Sequence, residues 1–210
     1  MSQGRLIVLD GLDGCGKSTQ LSRLADWLPG SGLLPASARI LCTREPGGTG
    51  FGQTLRNLLL HAEGDQAPVP TAELLLYAAD RAQHVESVIR PALAAGHWVL
   101  SDRFSGSTLA YQGYGRGLDL ALIRQLEEIA TAGLQPDVTL WLQLPIEESM
   151  RRRHGERDDR IEAQGRAFLS RVADGFAAVA AERGCCAVDA DQSLEAVSSA
   201  LQHRLLEQLG

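Results

Sequence analysis

The amino-acid sequence predicts an α/β domain: a five-stranded parallel sheet with helices on its faces. Three observations predict it. Short apolar runs alternate with longer segments of helical period, a glycine-rich turn joins the first run to the first such segment, and no bias in composition points to another class. The chain has 210 residues, enough for one domain that buries roughly 70% of its unfolded surface. At 44% hydrophobic and 22% charged residues it is neither disordered nor fibrous in composition.

The elements follow in chain order. Leu6 to Asp10 is a short apolar run and the first strand, and Ser18 to Leu28 is apolar at helical spacing. Pro29 and Gly30 end that helix, and the second strand runs from about Arg39 to Thr43. Gly47 and Gly48 make the next turn, before helical segments at Gly52 to His61 and Thr71 to Ala95. Gly96 separates the latter from a third strand, Trp98 to Asp102. A helix at Leu120 to Ala132 stops at Gly133, and Val138 to Leu144 is the fourth strand. Ala167 to Arg183 and Leu194 to Leu209 are helical, with a fifth strand at Ala187 to Asp189 between them. With no repeat, linker or low-complexity tract, residues 1–210 form a single domain.

The formal net charge of -6 gives no general attraction to a polyanion, so no nucleic acid partner is expected. No apolar run reaches the length of about 18 residues that a membrane span needs, and the N-terminus does not resemble an export signal, so a cytoplasmic location is expected. Cys15, Cys42, Cys185 and Cys186 form no CxxC pair and read as buried reduced thiols. Of the 20 basic residues 19 are arginine; Lys17 stands alone.

Residues 11–18 read Gly-Leu-Asp-Gly-Cys-Gly-Lys-Ser, a GxxxxGK[ST] motif between a strand and a helix, which is the context its chemistry requires. Gly11, Gly14 and Gly16 let the backbone wrap a phosphate, so that successive N–H groups and the helix N-terminus face the anion. Lys17 supplies a point charge to the β- and γ-phosphates, and Ser18 offers a hydroxyl to Mg²⁺. The motif predicts a nucleoside triphosphate site. Guanine-specific switches use a second lysine, which this chain lacks. Asp102 and Arg103 end the third strand beside this loop, where a carboxylate can hold the water shell of Mg²⁺ and a guanidinium can grip a second phosphate.

Together with the run Thr43-Arg44-Glu45-Pro46-Gly47-Gly48-Thr49, Leu55-Arg56, Tyr77 to Arg81, Ala110-Tyr111-Gln112-Gly113 and the arginine-rich segment ending Asp159-Arg160-Ile161-Glu162, these residues make the chain resemble the bacterial thymidylate kinases. The resemblance covers most of the chain. It implies a P-loop nucleoside monophosphate kinase fold with a short lid at about residues 150–165, and transfer of the γ-phosphoryl of ATP to dTMP with Mg²⁺. ATP would meet Gly11, Leu12, Asp13, Gly14, Cys15, Gly16, Lys17, Ser18 and Thr19, with Arg151, Arg160 and, weakly, Gln192; Ser18 and Asp102 would hold the metal. Arg44 and Arg103, supported by Arg56, would bind the acceptor phosphate, and Asp13 its 3′-hydroxyl. Tyr77 would stack on thymine, Arg81 would donate to a carbonyl, and Thr108 and Gln112 would complete the base edge. Tyr111 would crowd the position of a ribose 2′-hydroxyl, with Pro46 and Phe51 lining the pocket. The P-loop positions Leu12 to Cys15 hold no arginine, so the catalytic guanidinium must come from the lid, where Arg151, Arg153, Arg157 and Arg160 are all candidates and Arg153 and Arg157 are favoured. The family also implies a homodimer, with Thr108, Ala110 and Tyr111 near its surface.

Overall fold

The structure is a computed structural model that describes residues 4–153 and 159–210. Five strands, β1 (Arg5–Gly11), β2 (Ile40–Arg44), β3 (Trp98–Asp102), β4 (Val138–Gln143) and β5 (Cys186–Asp189), form one sheet in the order β2-β3-β1-β4-β5, with every neighbouring pair parallel. A central parallel strand is covered on both faces and so must be apolar without interruption. Leu6, Ile7, Val8 and Leu9 of β1 are accordingly all buried. Their side chains alternate between two cores. Ile7 and Leu9 join Leu100, Leu140 and Leu142 under α1 (Lys17–Trp27) and the C-terminal helix, whereas Leu6 and Val8 join Val99, Phe104, Val85 and Ile89 on the opposite face.

The remaining helices are α2 (Gly50–His61), α3 (Pro70–His84), α4 (Arg90–Ala94), α5 (Ser105–Thr108), α6 (Leu120–Thr131), α7 (Ile146–Arg152), α8 (Arg166–Arg183) and α9 (Leu194–Leu209). The chain passes from β1 outward to β2, returns to β3 and then crosses to β4, so β1 lies where the direction of winding reverses. Ligands of doubly wound sheets bind in the crevice at the carboxyl ends of such strands.

The expected strands are all present, with ends shifted by at most one residue; β2, for example, begins at Ile40 rather than Arg39. The single helix expected over Thr71 to Ala95 is α3 and α4 joined by a π-helical turn, Val85–Ile89. Pro91, which follows it, has no N–H for an ordinary helical bond, and a widened turn absorbs that loss. Two elements were not expected from the sequence: α7, and the helical stretch made by α5 and the π turn Leu109–Gly115. The second is buried on nearly every side, so it shows no polar face and no period.

That stretch packs on α8 with almost no gap. A Cβ on Gly175 would stand 2.8 Å from Tyr114 Cβ and 2.9 Å from Ala110 Cα, so Gly175→Ala must push two helices apart. We expect it to cost about 1–3 kcal/mol, read as a lower denaturation midpoint at unchanged slope; equal stability would contradict the close packing. Asp10, buried in β1, provides a second test. Burial pushes its carboxyl up to about 6, against a hydrogen bond from Ser107 and the charge of Arg103. The folded chain therefore holds this proton more tightly than the unfolded chain, and stability falls as pH rises from about 4 to 6. Asp10→Asn should remove this part of the decline, on the order of 2–3 kcal/mol, when thermal unfolding of both proteins is followed across that range.

Candidate active site

The loop between β1 and α1 is held open by its glycines. Gly16, at φ 91°, adopts a left-handed backbone and passes directly into α1 without a side-chain cap. The first N–H groups of α1 are thus left to face an anion. Lys17 is buried in the loop, and Nζ donates to Leu12 O at 2.8 Å and Gly11 O at 3.2 Å, with Cys15 Sγ at 3.7 Å. The hydroxyl of Ser149 on α7 donates to Asp13 O at 2.7 Å, which fastens α7 to the loop and lays Arg153 across Gly14. The result is a cleft of about 440 Å³ lined by Lys17, Ser18, Thr19, Arg44, Asp102, Arg103, Arg152 and Arg153.

Strand register brings the acid of the cleft into place: Asp102 pairs with Leu9 of β1 on one side and with Arg44 of β2 on the other. Ser18 Oγ donates to Asp102 Oδ2 at 2.8 Å, while the buried Oδ1 accepts no hydrogen bond among the described residues. A buried carboxylate oxygen in that condition, next to a hydroxyl and a phosphate loop, fits a hard cation or its water shell. Among the described residues no group of three or more acidic, histidine or cysteine side chains could hold a metal. Such a cation would draw its other ligands from phosphate and water, the habit of Mg²⁺.

Arg103 forms the junction with a second cavity. Its φ of 72° is a left-handed conformation for a residue with a Cβ, a strain of about 1–3 kcal/mol that clusters at functional sites. Nη2 donates to Asp13 Oδ1 at 2.6 Å, Nη1 donates to Gly11 O and Ser107 Oγ, both at 2.9 Å, and the guanidinium lies 5.1 Å from the Tyr111 ring centre. Tyr111 OH donates to Asp13 Oδ2 at 2.8 Å. Burial opposes the charge on Asp13, yet Arg103 and Lys17 hold its carboxyl well below the usual range, so both oxygens are acceptors.

The second cavity, about 80 Å³, shares Asp13, Glu45, Arg56 and Arg103 with the first. Pro46, Tyr77, Arg81, Thr108, Tyr111 and Gln112 also line it. Burial, and then the charge of Glu73, raise the phenol of Tyr77, which keeps it neutral. Arg81 is fixed by Nε, which donates to Glu45 Oε2 at 2.8 Å, and by its position 5.6 Å from the Phe104 ring centre. The other oxygen of Glu45 lies 2.9 Å from His84 Nδ1, and His84 Nε2 lies 2.7 Å from Thr43 Oγ1. At the mouth, Arg56 donates to Pro46 O at 3.0 Å. Burial and the neighbouring Arg44 pull the pKa of Arg56 down, and an anion bound between Arg44, Arg56 and Arg103 would relieve that repulsion.

Most of the expected site residues thus meet at these two cavities, while the side chains of Phe51, Arg151, Arg160 and Gln192 do not. Phe51 lies on the outer surface of α2, 54% exposed, and does not line the pocket. Arg151 turns away from the cleft and donates twice to Glu148, both at 2.6 Å; successive helical positions differ by about 100°, so Arg152 and Arg153 face the loop instead. Arg160 belongs to the second cavity's side rather than to the triphosphate, with Nε donating to Leu59 O at 2.8 Å and Nη2 to Glu73. Gln192 is exposed and donates to Asp189 Oδ2 at 3.1 Å. Thr108, Ala110 and Tyr111 are buried within the chain, so any subunit surface near them is made by other side chains. Arg157 lies outside the described residues. Leu12 and Cys15 are buried beneath the loop and contribute backbone. Arg152, Glu45 and Glu73 were missed by the sequence reading. Glu73 precedes Tyr77 by one helical turn, and that spacing was the available signal.

Comparison with known proteins agrees with this geometry. A sequence model of the thymidylate kinase family matches residues 9–201. The chain is 66% identical over 206 residues to thymidylate kinase of Synechococcus sp. strain CC9902, covering 98% of this chain and 99% of that one. It is 67% identical over 207 residues to thymidylate kinase of Parasynechococcus marenigrum strain WH8102, covering 99% of each. Its fold matches a crystal structure of thymidylate kinase from Ehrlichia chaffeensis with a TM-score of 0.77 at 31% identity, covering 99% of this chain and 100% of that one.

Proposed function

The chain belongs to the thymidylate kinase family, and from that premise we propose that it transfers the γ-phosphoryl group of ATP to dTMP, giving dTDP and ADP. One observation carries the reading: two cavities share a wall made by Asp13, Arg56 and Arg103, so a donor phosphate chain and an acceptor phosphate can meet end to end.

Phosphoryl transfer asks for alignment and charge neutralisation more than for covalent help. In our reading the P-loop N–H groups and Lys17 hold the triphosphate. Ser18 and Asp102 would hold Mg²⁺, which when bound would supply charge neutralisation to the triphosphate. Arg44, Arg56 and Arg103 grip the acceptor phosphate with planar forks and aim one of its oxygens at the γ-phosphorus. Asp13, fully ionised, accepts the 3′-hydroxyl of the deoxyribose. Tyr77 stacks on the base, Arg81 donates to a ring carbonyl, and Thr108 and Gln112 read the remaining edge. Tyr111 fills the space that a 2′-hydroxyl would need. As bonding to the β–γ bridging oxygen weakens, negative charge grows on that oxygen while the charge of the moving group spreads over its equatorial oxygens, and Arg153, with Arg152 beside it, neutralises it.

We further propose a homodimer. Phe51 and Leu58 on α2, Leu75 on α3 and Leu122 and Ile129 on α6 are exposed apolar side chains, and α3 packs between α2 and α6, so they belong to one continuous face. The four cysteines are free thiols, which suits the cytoplasm as the compartment.

A coupled assay of ADP release tests the activity: ADP should form rapidly only when dTMP is present, and faster turnover of UMP or AMP would overturn the choice of acceptor. Arg153→Ala should lower kcat by about 10³ with a far smaller change in KM; a variant with unaltered kcat would remove Arg153 from the reaction. In sedimentation, the native chain should run as a dimer and Ile129→Glu as a folded monomer.

A further inference from the structure

Glu73 is fully buried on the inner side of α3, where its carboxylate gathers side chains from two other parts of the chain. Oε1 accepts from Gln112 Nε2 at 2.8 Å and from Arg116 Nε at 3.2 Å; Oε2 accepts from Arg116 Nη2 at 2.9 Å and from Arg160 Nη2. Two guanidiniums compensate the buried acid. Gln112 is also buried, and it lines the acceptor cavity.

A primary amide has a donating end and an accepting end, and a carboxylate only accepts. Its bond to Glu73 therefore settles which end of Gln112 is which: the nitrogen faces Glu73, and the oxygen, which accepts no hydrogen bond among the described residues, is left for the cavity. Turning the amide over would set its oxygen against the carboxylate and forfeit a charge-assisted bond. At the same cavity the Nε of Arg81 is committed to Glu45, so only its donating terminal nitrogens remain for a ligand.

Resting on the proposed function, we propose that Glu73 is a positioning residue that sets the polarity of base recognition, holding the Gln112 carbonyl toward the base so that a pyrimidine with an N3–H and a 4-carbonyl is accepted and cytosine is refused. Thymine offers the donor and acceptor that match this fixed acceptor and donor. Cytosine offers a lone pair at N3 and an amine at C4, each meeting its own kind, and a site built for one pattern strongly rejects the other.

The test compares kcat/KM for dTMP and dCMP in the unmodified enzyme and in Glu73→Gln. The new side chain has nearly the same shape but can donate as well as accept, so Gln112 is free to turn. We expect the preference for dTMP over dCMP to fall by about tenfold or more, the worth of one hydrogen bond. Arg116→Gln, which loosens the same cluster without touching Gln112, should leave the ratio unchanged. Equal losses with both nucleotides in Glu73→Gln would reduce Glu73 to a structural role and overturn the proposal. Should Glu73→Gln fail to fold, nitrogen-15 NMR of the unmodified protein decides: the Gln112 side-chain amide protons, assigned by their loss in Gln112→Leu, should keep their shifts when dTMP binds, and their transfer to the base would refute the assignment. Were the unmodified enzyme to phosphorylate neither nucleotide, the functional reading would fall, and the amide signals would still decide whether Glu73 holds Gln112 in one orientation.

Discussion

Both cavities depend on where Arg103 is held. The pairing of β3 with β1 delivers this residue to the edge of the phosphate loop, and a left-handed backbone then turns its side chain across to Asp13, Ser107 and Tyr111. A strained conformation persists only when its surroundings over-determine it. Here the surroundings are three acceptors and an aromatic face, drawn from the phosphate loop and from the buried helical stretch over residues 105–115. The same guanidinium lowers the pKa of Asp13 and opposes the rise that burial imposes on that of Asp10 beneath it. Position and electrostatics in this site are therefore one problem with one solution.

The division of labour among cations follows from their chemistry. In the proposed reading, guanidiniums serve where a planar fork would meet a phosphate, as at Arg44, Arg56 and Arg103, and in the structure they serve where a carboxylate is buried, as at Glu45 and Glu73. The ammonium of Lys17 serves inside a tight loop, where a compact group on a flexible stem can donate to two carbonyls at once.

Much of this was legible in the sequence. The strands could be read because a parallel sheet covered on both faces demands uninterrupted apolar runs, and the loop at residues 11–18 because only glycine and a lone lysine satisfy its geometry. Tyr77, Arg81 and Gln112 were reached through the resemblance to a family, not through periodicity. What escaped has a common cause. The helix over residues 105–115 is buried all round and so leaves no pattern, and Glu45 and Glu73 look like ordinary polar positions until their buried partners are seen. Phe51 misled for the complementary reason: an aromatic next to a conspicuous motif invites a role in the pocket, whereas its helix turns it outward. The arginines at 151–153 differ only in helical phase, which a run of identical residues does not disclose.

The solitude of Lys17 has a practical corollary. Apart from the α-amino terminus, this chain offers acylating or aldehyde reagents a single primary amine, and that amine sits within the glycine-rich loop at residues 11–18. Any amine-directed label carried by the folded body of the protein is thus a reporter placed in the cleft proposed for the nucleotide, its uptake a footprint of occupancy that needs no engineered handle.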